Sequence, residues 1–357
     1  MGLFNVGLPQ PTSAPTPAGL PVGVFDIQGS TSYTAPCDGW LDILAFGAGG
    51  SGGVAFNSVA GATRALGGCA GGTCFKRVKV RAGTVLTFTL GAGGVGVARS
   101  TTGATPGNPG GTTTITSSAG LTLTIPGGAG GLATQGAVTA LSHVAAVLPT
   151  GGGINLAGGI GGSISANAAT VALSTGGGGP RISSGTADSG SITGAVTDLC
   201  CTGGAGASTG SGGVPTASSA NTGGGGAGAP SPTGSASPGP GTVQTPLTSA
   251  NVLGYLAVDA AGTIGVSSGS SALVAGFGGG SGASSSAVDA AYVTGAVVFG
   301  GSGALALRNT NPVQSTGTVT WVGGSGGIAS SVTPGGTHTS GRGGNALVLA
   351  AFYPRGA

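Results

Sequence analysis

Short stretches that alternate apolar and polar residues recur along this chain, and runs of glycine separate them. In residues 75–81, Val78 and Val80 share one face of an extended chain, while basic side chains occupy the other face. A period of two is typical of a half-buried β-strand. Residues 85–90 alternate in the same way after an Ala-Gly turn, so the two stretches together predict a β-hairpin.

Further stretches of the same kind predict strands towards both ends of the chain. Residues 39–46 (GWLDILAF) predict one strand, with Trp40 and Phe46 as expected core anchors. Residues 112–125 predict one or two more, and residues 347–352 predict a last strand. Because a last strand that joins the early sheet would close the chain on itself, we expect one domain with long insertions rather than two domains.

Each predicted strand runs into a glycine-rich string. The strings recur at irregular intervals, which excludes a solenoid of fixed period. They also lack the glycine at every third position that a collagen helix requires. The strings occupy residues 47–53, 67–72, 91–96, 127–131, 151–153, 158–162, 176–179, 203–206, 210–213, 223–226, 276–280, 300–303, 323–327 and 341–344.

The composition favours an ordered protein over a disordered one. Of the 357 residues, 83 are glycine, 39% are hydrophobic and only 5% are charged, and the formal net charge is +3. Disordered chains combine low hydrophobicity with high net charge, so this chain is expected to be ordered or bound into an assembly. Long α-helices are not expected, because glutamate is missing and each glycine costs a helix about 1 kcal/mol.

An extended helix with three residues per turn gives the glycine strings a role in an ordered protein. Such a helix makes no internal hydrogen bonds, so its buried N–H and C=O groups need partners on neighbouring segments. Glycine has no side chain and therefore lets neighbouring backbones approach closely enough to bond. The strings predict a bundle of packed polyglycine II helices, and flexible linkers are the alternative.

The N-terminal residues differ in composition from the rest. Prolines at positions 9, 11, 15, 17 and 21 favour extended backbone, so residues 1–23 are expected to be an arm or linker before a glycine-rich domain of residues 24–357. In that domain, residues 24–131 carry strands and the first strings, residues 132–342 carry strings with variable insertions, and residues 343–353 form the closing strand. Neither a secretion signal nor a transmembrane helix is expected.

Five motifs follow one another in a fixed order along the chain. They are LAFGAGGSGG (44–53), GGTCFKRVKVRAG (71–83), VLTFTLGAGGVG (85–96), GGTTTIT (110–116) and GGNALVLAAFY (343–353). This order resembles the glycine-rich domain of phage tail-fibre proteins and tail-tip adhesins. The likeness covers residues 24–131 and the C-terminal strand. The residues between them resemble the family only in their general type of sequence, not motif by motif.

That resemblance implies an all-β fold with essentially no α-helix, in which a small antiparallel β-sandwich adjoins the bundle of polyglycine II helices. It also implies variable loops at one end that contact a bacterial surface, and a virion location after assembly in a host cytoplasm. Related modules occur in bacterial and animal surface proteins. Long insertions, such as residues 138–148 and 243–274, and an aromatic content of only 4% depart from the adhesin pattern.

The expected partners follow from this resemblance and from the N-terminal arm. Residues 1–23 are expected to dock on other virion proteins, and the domain on bacterial surface polysaccharide or an outer-membrane protein. A homo-oligomer, such as a trimer, is a further expectation.

Motifs for catalysis occur, but their context argues against an enzyme. Ser51 and Ser325 each lie in a G-x-S-x-G pattern, yet a nucleophile elbow requires a helix after the serine, and no helix-forming sequence follows either one. Asp38 and Asp42 flank Trp40 and suggest paired carboxylates, but a turn Asp and a solvated Asp explain them more simply. We predict no enzyme activity and no cofactor.

The cysteines and histidines predict no metal site. Neither histidine has ligand spacing from a cysteine pair, so the cysteines are expected to be buried, reduced thiols, with a zinc site as the alternative. An odd number of cysteines argues against a disulfide framework. The residues are Cys37, Cys69, Cys74, Cys200, Cys201, His143 and His338.

The only charge cluster is basic and consists of Lys76, Arg77, Lys79 and Arg81. These four residues are the candidate surface contacts, with acidic neighbours or surface polysaccharide as the expected ligand and a solvated strand face as the alternative. Nucleic-acid binding is not expected, because one basic stripe and a net charge of +3 give a thin electrostatic footprint.

Three functions remain open on sequence grounds. The first is a virion fibre or adhesin that binds a bacterial surface receptor. The second is a purely structural fibre or capsid appendage that residues 1–23 dock. The third is an ice-binding protein, because flat glycine-rich bundles can present rows of threonine.

Overall fold

The computed structural model describes residues 23–27, 29–57, 61–136, 140–144, 146–166, 172–181, 192–194, 200–201, 207–209, 215–217, 274–277, 283–285, 296–299, 301, 304–307, 313–315, 319–331 and 336–355. Every regular element within these ranges is a β-strand, which confirms the all-β prediction. They contain no helix with the length and apolar character needed to cross a membrane. The predicted N-terminal arm lies outside them, apart from Gly23.

The strands are short, and most have three to five residues. The first half of the chain forms β1 (Gly23–Ile27), β2 (Thr31–Thr34), β3 (Gly39–Phe46), β4 (Val54–Asn57), β5 (Thr63–Ala65), β6 (Thr73–Val80), β7 (Val85–Thr89), β8 (Ala98–Arg99), β9 (Gly103–Thr105), β10 (Thr113–Ser117), β11 (Thr122–Ile125), β12 (Ala133–Gln135), β13 (Ile154–Leu156), β14 (Ile164–Ala166) and β15 (Ala172–Ser174).

The second half forms β16 (Ile192–Gly194), β17 (Cys200–Cys201), β18 (Ala207–Thr209), β19 (Pro215–Ala217), β20 (Val274–Phe277), β21 (Ala283–Ser285), β22 (Ala296–Phe299), β23 (Leu305–Leu307), β24 (Val313–Ser315), β25 (Val319–Trp321), β26 (Ile328–Ser331), β27 (Thr337–Thr339) and β28 (Leu347–Pro354).

Two antiparallel sheets pack face to face in a small β-sandwich. The first has the strand order β1-β28-β3-β6-β13, and the second has the order β11-β10-β7-β2. Alternate side chains of both sheets are buried between them, which accounts for the period of two in the sequence. The predicted sandwich is therefore confirmed, and its core includes Leu41, Ile43, Leu86, Phe88, Ile115, Leu123, Val348 and Phe352.

The C-terminal strand β28 lies between two strands from the start of the chain. Phe352 pairs with Gly23 of β1 on one side and with Leu41 of β3 on the other. The two ends of the described chain thus belong to one sheet. The division into residues 1–23 and 24–357 stays a prediction.

The predicted hairpin between β6 and β7 is wrong, because these strands belong to different sheets. The turn between them is tight: Gly83 has a φ of 80°, and the Thr84 N–H donates to the Arg81 carbonyl at 3.0 Å. It carries the chain across the sandwich, so that Val80 and Leu86 both enter the core. Alternation specifies which face of each strand is buried, but it leaves the choice of neighbouring strand open.

Among the described residues, nine glycine strings lie side by side next to the sandwich and exchange backbone hydrogen bonds. They are numbered here in chain order. String 1 is residues 47–53, string 2 is 67–72, string 3 is 91–96, string 4 is 107–111, string 5 is 127–131, string 6 is 158–162, string 7 is 176–179, string 8 is 323–327 and string 9 is 341–344.

String 1 is the central member, because it bonds to six other strings. A helix with three residues per turn directs successive N–H and C=O groups outward in different directions, which permits so many neighbours. The bonds from or to string 1 are Gly50 N–H to Cys69 O (2.9 Å, string 2), Gly94 N–H to Gly49 O (2.9 Å, string 3), Ser51 N–H to Asn108 O (2.9 Å, string 4), Gly128 N–H to Ala48 O (2.8 Å, string 5), Ser325 N–H to Gly50 O (3.1 Å, string 8) and Gly49 N–H to Gly344 O (2.8 Å, string 9).

The six neighbours of string 1 also bond to one another and close a ring around it. Strings 6 and 7 extend the lattice beyond string 2. The bundle of polyglycine II helices is therefore confirmed over the flexible-linker alternative. The ring bonds run from Gly68 N to Ser325 O, Gly344 N to Gly323 O, Gly343 N to Gly94 O, Gly111 N to Ala92 O, Gly110 N to Gly128 O and Cys69 N to Ala129 O, each at 2.8–2.9 Å.

Not every predicted string joins this lattice. Residues 151–153 form a turn before β13, and Gly151 has a φ of 85°. String 4 has only three glycines in five residues and was missed, because its Asn-Pro pair breaks the glycine run. The predicted strings at 203–206, 210–213 and 223–226 lie outside the described residues, and those at 276–280 and 300–303 are described only in part.

The strings connect the sandwich to a second, layered β region, called here the distal end. String 1 leaves β3 of the sandwich and reaches β4, and string 2 returns from β5 to β6. The distal sheets have the orders β12-β5-β15-β17, β21-β23-β26-β4-β9, β24-β27-β8 and β14-β16. The first two pack through small side chains, namely Ala55, Ala65, Ala172 and Ala329.

A histidine is buried at the distal end. His338 on β27 is 1% exposed, and its ring centroid lies 5.0 Å from that of Phe56 on β4. Neither ring nitrogen has a hydrogen-bond partner among the residues that the structure describes. Burial disfavours the charged imidazolium and lowers the pKa of His338 from 6.5 to about 4.

The lattice predicts a steep cost for any side chain at a central glycine. A methyl group at Gly49 would overlap the carbonyl oxygen of Gly323 and lie 2.8 Å from that of Val322. Gly49→Ala should therefore lower the free energy of unfolding by about 3 kcal/mol or more in denaturant titration. The control is Gly29→Ala, whose methyl group meets nothing within 4 Å. Equal stability of the two variants would contradict the close-packed lattice.

Burial of His338 predicts a loss of stability in mild acid. Its folded-state pKa is lowered, so the unfolded chain takes up the proton first as pH falls through 6.5, and the loss is complete below about pH 4. A difference of one pKa unit corresponds to about 1.4 kcal/mol, so the largest loss of unfolding free energy that His338 can cause is about 3 kcal/mol. His338→Phe should flatten the curve of unfolding free energy against pH. An unchanged slope in the variant would exclude His338 as the source of the acid sensitivity. Burial also lowers the pKa of His143, so this residue accounts for a smaller pH dependence that remains in the variant.

Candidate binding surfaces

The four predicted contact residues do not share one face of the molecule. Arg77 lies on the outer face of the five-stranded sheet, opposite Asp42 of β3. Its Nε donates to Asp42 Oδ1 at 2.6 Å and its Nη2 to Asp42 Oδ2 at 2.7 Å. The expected solvated Asp is therefore wrong for Asp42, which is held in a two-pronged ion pair.

Two aromatic side chains accompany this ion pair. Tyr353 of β28 lies opposite Trp40 of β3, and Trp40 lies opposite Lys79 of β6. The guanidinium carbon of Arg77 lies 5.9 Å from the centroid of the Tyr353 ring. The prediction of Trp40 as a core anchor is wrong, because Trp40 is only partly buried and shares the outer face with Asp42; Phe46 is fully buried as predicted.

Lys76 lies on the opposite face of β6 from Arg77. It shares that face with Cys74 of the core, and lines a crevice of about 300 Å³ between the two sheets together with Val78, Leu86 and Leu121. Strand alternation in the sequence already separates position 76 from positions 77, 79 and 81. The basic cluster of the sequence therefore belongs to two surfaces.

Arg81 and Asp38 belong to the loops that flank the outer face. Arg81 is exposed, and its N–H donates to the Thr84 hydroxyl at 3.1 Å. Asp38 Oδ1 accepts the N–H of Ala82 at 2.9 Å, as expected of a turn Asp. The Asp38 carboxylate therefore orders the turn beside the face.

The outer face of the four-stranded sheet carries an array of hydroxyl groups. Thr87 lies between Ser32 and Thr116, and Thr114 lies between Thr89 and Thr124. Most of these side chains are exposed. Strand register, which the sequence leaves open, creates the array of Ser32, Thr87, Thr89, Thr114, Thr116, Thr122 and Thr124.

A loop at the distal end is held by one arginine. Arg99 donates to the backbone oxygens of Thr101 at 3.2 Å and Thr102 at 3.3 Å, and to the hydroxyl of Thr105 at 2.9 Å. The loop residues 100–102 are mostly exposed. Arg99 thereby gives a fixed shape to a loop that projects into solvent.

The two serines of the G-x-S-x-G patterns are members of the glycine lattice. Ser51 is buried in string 1, and its hydroxyl accepts the Asn108 N–H at 2.8 Å. The hydroxyl of Ser325 accepts the Gly52 N–H at 2.7 Å and donates to the Gly341 carbonyl at 2.5 Å. Both hydroxyls thus serve as lattice partners.

The three cysteines that the structure describes in full form no disulfide bond. Cys69 and Cys74 are buried as expected. Cys37 is exposed, so the prediction of a buried thiol is wrong for this residue. Burial raises the pKa of the Cys74 thiol to about 11, against a smaller opposite effect of Lys76. The side chains of Cys200 and Cys201 lie outside the described part. Within it, His, Cys, Asp and Glu form no group of three or more suited to a metal ion.

Comparison with known families gives one match. The sequence model of a family described as a glycine-rich domain matches residues 26–245, which is more than half of the chain. No curated protein matches.

Proposed function

Since the chain belongs to the glycine-rich domain family, we propose that it is a non-enzymatic virion component, namely a phage tail-fibre or tail-tip adhesin subunit that binds a bacterial surface receptor. The order of motifs from string 1 to β28 supports the phage assignment by resemblance. The buried lattice roles of Ser51 and Ser325 support a scaffold rather than a hydrolase.

The observation that carries the proposal is the separation of the two ends of the molecule by the glycine lattice. The ring of strings around string 1 is a rigid spacer, because its contacts are backbone to backbone. Loops such as residues 100–102 lie at the distal end, and β1, where the N-terminal arm joins, lies in the sandwich. A spacer with attachment at one end and loops at the other suits an adhesin.

This arrangement also suggests the roles of the partners. Residues 1–23 dock the subunit on other virion proteins from the sandwich end, and the distal loops contact the receptor. Assembly as a trimer would bring three distal ends to one tip. A purely structural fibre or capsid appendage keeps the docking role of the arm and lacks the receptor.

The proposal predicts that bulk at the distal end blocks binding to bacteria. The labelled wild-type protein should bind cells of a susceptible strain and compete with infection. Thr101→Trp, in the exposed loop that Arg99 holds, should weaken cell binding at least tenfold (roughly 1.4 kcal/mol). Ala119→Trp adds the same residue at the exposed turn of the sandwich end and should bind as wild type.

Three outcomes of this experiment would count against the adhesin. Equal loss of binding in both variants would argue against contact through the distal loops. Normal binding by both variants would also argue against contact through these loops. Wild-type protein that binds no strain in a broad panel would favour the purely structural role.

The threonine array favours ice binding as a second candidate function. Neighbouring strands lie about 4.8 Å apart and same-face residues about 6.8 Å apart along a strand. These two repeats give a two-dimensional array of hydroxyl and methyl groups with spacings close to those of the ice lattice. The threonine rows lie on the four-stranded sheet, whereas the sequence analysis expected them on the glycine bundle.

Ice binding predicts thermal hysteresis that depends on Thr87 at the centre of the array. Thr87→Tyr should remove most of the hysteresis measured by nanolitre osmometry, because the larger ring prevents contact of the whole array with a flat surface. Lys79→Tyr, which adds the same side chain on the opposite face of the sandwich, should retain it. Wild-type protein without hysteresis eliminates this candidate.

A further inference from the structure

The outer face of the five-stranded sheet combines aromatic rings, an ion pair and a lysine in adjacent rows. This aromatic face consists of Trp40, Asp42, Phe75, Arg77, Lys79 and Tyr353. We propose that the aromatic face is a binding site for an acidic polysaccharide. It is distinct from the distal loops, and the proposal does not depend on the virion assignment.

Two aromatic rings and one lysine form a row across three strands. Tyr353, Trp40 and Lys79 lie side by side in register, about 4.8 Å from strand to strand. Both rings are only partly buried, whereas Leu41, which follows Trp40 in the sequence and lies on the inner face of the sheet, is fully buried. Partly exposed Trp and Tyr side chains offer large apolar area together with a polar N–H or O–H group. The C–H faces of sugar rings need this combination of surfaces.

The ion pair gives the second row a fixed arrangement of polar groups. Arg77 and Asp42 are joined by two hydrogen bonds, and their side chains are 18% and 14% exposed. Arg77 also lies near the Tyr353 ring and so links β6 to β28 across β3. A carboxylate can accept up to about four hydrogen bonds, so Asp42 retains capacity for a sugar hydroxyl while it holds Arg77. The site is preorganised for a ligand that donates hydroxyl groups.

Charge on and around the face favours a ligand with few negative charges. Lys79 and Arg81 are exposed cations at one side of the aromatic row. The carboxylates of Asp42 and Asp38 offset part of that positive charge. The guanidinium of Arg77 is already paired with Asp42. A phosphate on every residue of a nucleic acid strand would meet these carboxylates and find few cations. A polysaccharide with occasional carboxylates matches the charge and also supplies hydroxyl donors.

The chemistry of Tyr353 is consistent with this ligand. Burial, and secondarily the charge of Asp42, raise the pKa of Tyr353, against a smaller opposite effect of Arg77. The phenol therefore stays protonated at neutral pH and can donate a hydrogen bond.

The test measures binding of the full chain to three polymers by microscale thermophoresis at low salt. The probes are hyaluronan, which carries a carboxylate on every second sugar, dextran, which is neutral, and a single-stranded thymidine oligonucleotide. Hyaluronan should bind at least tenfold more tightly than the other two. Raising the salt concentration should weaken that binding, because exposed cations are screened.

Two substitutions on the face and one elsewhere test the location. Trp40→Leu should weaken hyaluronan binding about tenfold, as expected for a central aromatic anchor, and Lys79→Gln about threefold. Arg342→Gln removes the same charge as Lys79→Gln from an exposed residue of string 9 and should bind as wild type. Thermal unfolding of each variant identifies any that fails to fold, and Lys79→Gln, at an exposed position, keeps the test decisive if Trp40→Leu does not.

Several results would overturn the proposal. These are tightest binding of the oligonucleotide, equal binding of dextran, no binding of hyaluronan, or equal losses for Lys79→Gln and Arg342→Gln. The adhesin proposal fails separately, through cell binding that does not respond to the distal Thr101→Trp substitution.

Discussion

Backbone hydrogen bonds between glycine strings are the interaction on which this fold depends. String 1 directs its N–H and C=O groups to six neighbours, and a Cβ atom at Gly49 or Gly52 would overlap a neighbouring backbone. Each ordered residue costs about 1–2 kcal/mol of conformational entropy. Hydrogen bonds on all sides of the strings and sheets at both of their ends help to offset this cost. The shortage of charged residues is consistent with this geometry, because the inner positions of packed backbones have no room for a solvated side chain.

The lattice also separates the molecule into parts with different chemistry. The sandwich uses ordinary large apolar side chains, such as Phe88 and Phe352. The distal sheets use small residues, such as Ala55 and Ala329, which hold thin layers close together. The outer faces of the sandwich differ again, since one carries aromatic and charged groups and the other carries hydroxyl groups. Contacts can therefore vary on the faces and loops while the strings stay constant.

Local sequence was enough to predict most strands of the sandwich and eight of the nine described strings, but not how they are arranged. The period of two identified β6 and β7 and correctly assigned their buried faces, yet it placed them in one sheet. Trp40 was assigned to the core because it is large and apolar, although Asp42, two residues later, lies on the same face. The ion pair of Asp42 with Arg77 and the array around Thr87 depend on which strands become neighbours. That choice is made by contacts between distant segments, which no single stretch of sequence encodes.

The closed ring of strings has a consequence for the time at which the protein folds. The Gly52 N–H bonds to Ser325, 273 residues later in the chain, and string 9 completes the ring. The centre of the lattice therefore remains open until string 9 has left the ribosome. Contacts of such long sequence separation make folding slow, and the exposed strings of the nascent chain must be kept from bonding to other molecules. A lattice built in this way closes in one late step, not segment by segment during synthesis.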